Sequence, residues 1–203
     1  RSSHNSTWEP LYGERDTIRD SYEQMTVTLR ETSADNRTFR ILVRAYDEGL
    51  AFRYYIPKDS VASSYTISTE YTRFVFRDYI KGYEEDGTEG VYKYGNLSGF
   101  DTDFESPLTL VHPKGHYLSI MEANLTDHSR MGLSSVSGDP KAVRVKLRGQ
   151  VSASGSHTTP WRVIMTADSP GELIENNFIV ENLNEPCAID DTSWIRPGVA
   201  FRD

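Results

Sequence analysis

The chain has 203 residues, 37% hydrophobic and 26% charged, enough to bury a real core in one large domain or two small ones. Its formal net charge of −8 argues against the basic surface that nucleic acid or an anionic membrane demands. No apolar run approaches the ~18 residues of a membrane-spanning helix, and the single cysteine, Cys187, permits no internal disulfide and is expected as a buried, inert thiol.

The opening RSSHNSTWEP carries no visible targeting signal. Period-2 patterns follow. Tyr22–Arg30 alternates Met25, Val27 and Leu29, and Thr38–Tyr46 alternates Phe39, Ile41, Val43 and Ala45. Asp47-Glu48-Gly49 reads as a tight turn returning into Leu50–Ile56, so these two runs predict a hairpin. Tyr65–Ser68, Thr72–Arg77, Pro107–Val111, Tyr117–Leu125, Ala142–Arg148 and Trp161–Thr166 are further strand candidates, with Gly, Pro, Asn and Asp between them. The acidic, glycine-rich KGYEEDGTEGVYKY (Lys81–Tyr94) predicts a solvated hairpin tip or loop, its acidic spacing unlike an EF-hand. Helix is scarce: only Pro170–Asn176 qualifies, with Ser169 placed to cap it and Pro170 at its first position. Asn5, Asn36, Asn96 and Asn124 stand in N-x-[ST] sequons, Asn124 within a predicted strand.

Many short strands joined by turns predict an all-β fold, a large two-layer antiparallel β-sandwich with little helix. No βαβ series is visible, so neither a Rossmann domain nor a (β/α)8 barrel fits within this chain. Asn182–Gly198 has connector composition, with two prolines and an exposed-looking Trp194. The expected division is a sandwich over residues 1–186, with 187–203 beginning a linker.

Chemistry is sparse. His112 and His116 (HPKGH) are separated by helix-breaking Pro113 and Gly115, so a pair of turn histidines is expected rather than a metal site. Arg144, Lys146 and Arg148 share one strand face, expected to be solvated. Paired carboxylates are glycosidase chemistry. Asp101, Asp103, Glu105, Glu84–Asp86 and Asp190-Asp191 are nonetheless all explained by loop solubility.

Glu122 differs. In YLSIMEANL it falls in phase with Leu118 and Ile120, on what should be an apolar face. An unpaired buried carboxylate is costly, so such a group is neutralised, paired or bound to a cation. The pattern leaves three readings open: a structural salt bridge, the open edge of a sheet, or a metal or interface role.

Several segments together resemble the N-terminal domain of glycoside hydrolase family 97, bacterial α-glucosidases and α-galactosidases. They are Trp8–Gln24, Arg44–Pro57 (RAYDEGLAFRYYIP), Ser106–Leu110, Ile120–Met131 (IMEANLTDHSRM), Thr159–Met165 (TPWRVIM) and Pro170–Gly198, which ends in DTSWIRPG. They run in order along nearly the whole chain. The resemblance implies a sandwich packed on a catalytic (β/α)8 barrel of the same polypeptide. Members carry further strands before the position of Trp8, so it also implies a sandwich trimmed at its start. It implies that Glu122 is a calcium ligand at the barrel's active site, that the substrate is an α-linked oligosaccharide, and that the location is periplasmic or secreted. No catalytic residue lies in this chain, which alone is expected to hydrolyse nothing. The alternative is a stand-alone carbohydrate-binding module stacking sugars on Trp8, Trp161 and Trp194.

Overall fold

The computed structural model describes residues 1–33, 35–87 and 89–199. An antiparallel meander opens the chain: β1 (Ser2–Trp8), β2 (Ile18–Arg30), β3 (Thr38–Tyr46) and β4 (Gly49–Ile56). The predicted hairpin is β3–β4, with Tyr46 opposite Gly49 across the turn. Short strands β5 (Ser64–Ile67) and β6 (Arg73–Val75) follow, then the hairpin β7 (Lys81–Glu85) and β8 (Tyr92–Asn96), then β9 (Leu108–Val111) and β10 (Tyr117–Ala123). The last strands are β11 (Met131–Val136), β12 (Asp139–Leu147), β13 (Val151–Ser154), β14 (His157–Thr158) and β15 (Trp161–Ala167). Helices α1 (Pro170–Glu175) and α2 (Phe178–Asn182) close the fold.

The large sheet runs β1-β2-β3-β4-β15-β10-β9-β7-β8, with β14 beside β4. A smaller sheet, β11-β12-β6, lies across one face, and β13 pairs with β5. Alternation explains the layering. Ile120, Leu108 and Leu110 on the large sheet pack against Phe74, Met131, Leu133, Val143 and Val145 on the small one. The in-between residues Ala51, Ala123, Trp161, Val163 and Met165 form a second core on the opposite face, covered by Leu173, Ile179 and Leu183. The fold is therefore the expected antiparallel sandwich, with a helical cover on its outer side. Gly49 serves a close approach: a methyl group there would overlap the Ile164 carbonyl oxygen of β15. Ser169 caps α1 as expected, its hydroxyl accepting the Glu172 N–H at 3.1 Å.

Several readings are corrected. Cys187 is exposed, because the chain after α2 lies as irregular surface backbone. Asn124 lies past the end of β10, in the left-handed region at φ 56°, where asparagine is tolerated. The acidic stretch is loop only in its middle. β7 and β8 pair fully, and Glu84 is buried, accepting the Asp101 N–H at 2.8 Å. Strands β1, β11, β13 and β14 and helix α2 were not expected. Residues 200–203, the end of the expected linker, lie outside the described residues.

Candidate functional site

Glu122 ends the β10 stripe that includes Leu118 and Ile120, as its phase predicts. Ile120 is fully buried, whereas the Glu122 side chain is 13% exposed. It therefore stands where the inter-sheet core gives way to the end of the sandwich. Directly across the ladder on β15 is Arg162. Arg162 shows the mirror-image anomaly: it is out of phase with Trp161, Val163 and Met165, so it points to the inter-sheet side, and it is fully buried.

The pairing is specific. Arg162 Nη1–H donates to Glu122 Oε2 at 2.8 Å, and the Met131 backbone N–H donates to Glu122 Oε1 at 2.8 Å. The rest of the guanidinium forks onto Glu70, with Nε–H to Oε1 at 2.9 Å and Nη2–H to Oε2 at 2.5 Å. Burial works against the arginine's charge, but the hydrogen bonds and charges of Glu70 and Glu122 outweigh it and hold its pKa above the ordinary value. Glu70 comes from the loop between β5 and β6, where Thr72 is fixed by the Tyr54 hydroxyl at 2.6 Å. One guanidinium thus faces two carboxylates.

Beside this cluster His128 Nδ1 lies 2.9 Å from His157 Nε2, with the rings stacked. Burial, then repulsion by Arg162 and His157, pushes His128 down to about 4, against the pull of Glu70. Burial also lowers His157. Arg130, next to Met131, pairs with Glu105.

The two turn histidines stay apart from this end, whereas the DTDFE carboxylates adjoin it through the Arg130–Glu105 pair. His112 and His116 flank a turn and pair separately with Asp78 (3.2 Å) and Asp168 (2.7 Å). Arg144 is exposed, but Lys146 and Arg148 are not simply solvated. The DTDFE loop folds over them, Asp103 takes Lys146 at 2.6 Å and also pairs with Arg148, and Glu105 takes Arg148 at 3.0 Å. Those carboxylates are thus ion-paired rather than merely solubilising. Trp161 is sealed in the core, and the Trp8 indole N–H donates to Asn182 at 2.8 Å; Trp194 is 69% exposed.

Among the described residues no group of three or more His, Cys, Asp or Glu side chains is placed to hold a metal. Glu122 does fit as a single ligand: each oxygen accepts one hydrogen bond and retains a lone pair, and the side chain reaches the surface. A hard cation there would need further oxygens from outside these residues.

Comparison with known proteins decides the family. The family model described as "Glycosyl-hydrolase 97 N-terminal" matches residues 1–186. The chain belongs to glycoside hydrolase family 97, as its N-terminal domain. It is 30% identical over 170 residues to a protein of Streptomyces bingchenggensis (strain BCW-1) described as a "probable retaining alpha-galactosidase", covering 80% of this chain and 25% of that one. It superposes with TM-score 0.89 and 29% identity on a family 97 enzyme of Pseudoalteromonas sp. strain K8 solved with acarbose, over 97% of this chain and 31% of that one. A variant of that enzyme with panose matches equally. A β-arabinopyranosidase shares the fold at TM-score 0.70 and 16% identity, over 82% of this chain. In the family 97 relatives, then, a domain like this one is under a third of a longer chain.

Proposed function

We propose that this family 97 domain is the non-catalytic sandwich of a periplasmic or secreted α-glycosidase acting on α-glucosides or α-galactosides. It buttresses a (β/α)8 barrel of the same polypeptide and gives Glu122 to a calcium ion at the barrel's active site. The observation that carries this reading is the placement of Glu122. It is the most exposed member of the Glu70–Arg162–Glu122 cluster, held in orientation by Met131 and Arg162. Exposed Leu125 and Tyr71, next in sequence to the Asn124 turn and to Glu70, offer apolar surface for a neighbouring domain. When bound, calcium would supply a fixed positive charge that orients substrate and carboxylates. Choice between glucoside and galactoside would rest on barrel residues outside this chain.

The test is Glu122→Gln in the polypeptide extended through its barrel. The expected result is lower activity and weaker dependence on calcium. Wild-type activity with wild-type sensitivity to a chelator overturns the ligand assignment.

A further inference from the structure

We propose that Glu70 and Arg162 are positioning residues for Glu122, setting the orientation in which it meets a cation; this rests on the calcium reading above. Arg162 divides its donors unequally. Two N–H groups, on Nε and Nη2, go to Glu70 as a fork, and Nη1 alone reaches Glu122. The fork is the stronger and more directional arrangement for a guanidinium and a carboxylate. Glu70 therefore anchors Arg162, and Glu122 receives one bond.

The exposures follow the same order. The Arg162 side chain is 0% exposed, Glu70 8% and Glu122 13%. Arg162 is thus walled in between two carboxylates, with Glu122 the member nearest the surface. Without Glu70, the buried arginine would have Glu122 as its only carboxylate partner. It would draw the carboxylate inward and repel a divalent ion. With Glu70 present, the arginine's charge is met from behind, and the Glu122 carboxylate stays oriented by the Met131 N–H. Partners one step removed from a metal tune ligands in this way, and their loss typically weakens metal binding about 10- to 100-fold.

The experiment compares wild type, Glu122→Gln, Glu70→Gln and Arg162→Lys in the polypeptide extended through its barrel. Two quantities are read: the calcium Kd in chelator-buffered titrations, and Tm without calcium. Glu70→Gln keeps the shape of the side chain, so it remains informative if Arg162→Lys fails to fold. The expected result is a calcium Kd raised about 10- to 100-fold in Glu70→Gln and Arg162→Lys, with Glu122→Gln raised at least as far. A merely structural pair would lower Tm in calcium-free protein and leave the Kd unmoved, and that result overturns the positioning role while the calcium reading stands. A wild-type Kd in Glu122→Gln overturns both.

Discussion

The two faces of the large sheet each hold arginine away from full solvent, Arg162 buried and Arg44 and Arg53 half-buried, and they do so by opposite means. On the inter-sheet face, Arg162 is gripped by Glu70 and Glu122. On the helix-covered face, Arg53 lies 4.4 Å from the Trp161 ring centroid, and Arg44 lies 4.9 Å from the same ring and 4.2 Å from Tyr22. Neither has a carboxylate hydrogen bond; Arg44 Nε–H reaches only Gln24, at 3.1 Å, and Arg53 Nε is buried without a partner. The titration follows suit. Carboxylates hold Arg162 above its ordinary pKa despite burial, whereas burial and then repulsion from Arg44 pull Arg53 below its own. Carboxylates make a buried arginine indispensable to its partners. Ring faces only accommodate one, since a cation over an aromatic ring contributes about 0.5–2 kcal/mol.

Among the arginines, breaking the first arrangement should cost most. Arg162→Met leaves two largely buried carboxylates without their shared cation, and the expected loss is about 3–5 kcal/mol in urea unfolding. A loss of only about 0–1 kcal/mol, as for an exposed ion pair, would mean that the cluster's charges do not set the effect. Trp161→Ala tests the second arrangement through its ring. Removing a sealed indole is expected to cost about 3–5 kcal/mol by cavity formation. Arg53→Met, on the same face, should change stability by less than about 1 kcal/mol, since desolvation and repulsion already oppose its charge. A loss as large as that of Arg162→Met would erase the contrast between the faces.

The smallest effect concerns the histidine pair beside Arg162. The folded pKa of His128, about 4, lies below its ordinary 6.5, so between these values the unfolded chain binds more protons. Stability should therefore fall as pH drops from about 6.5 toward 4. His128→Gln should flatten that slope in urea titrations across the window, and an unchanged slope would assign it to other groups.

The legible parts of this fold are those where alternation meets a one-sided core. β3, β4, β10 and β15 lie where their apolar period places them, within a residue or two. Glu122's phase was legible for the same reason. Its partner was not, because the β10–β15 register joins residues 40 apart and follows from strand order rather than local pattern. A signal did exist: Arg162 in TPWRVIM breaks phase as Glu122 does, and two opposite charges on buried phases have reason to meet. Glu70 gave no signal, since loop carboxylates usually serve solubility. β1 was illegible because SSHNSTW is exposed along its whole length and is held by its ladder to β2. The resemblance to family 97 identified the domain, whereas nothing in the chain's own pattern names calcium.

The strand order also fixes a sequence of events during synthesis. β15 is the last-made strand of the large sheet, yet it sits at the sheet's centre, between β4 and β10. The meander β1–β4 can pair as it emerges, but β4 then presents an open edge until more than a hundred further residues have followed. Such distant pairing slows folding and prolongs exposure of unpaired strand. Arg162 arrives with that same strand, so Glu70 and Glu122 stay solvated until the sheet closes over them. Nascent chains halted before β15 should therefore be held by chaperones, and release should come with the segment that completes the sheet.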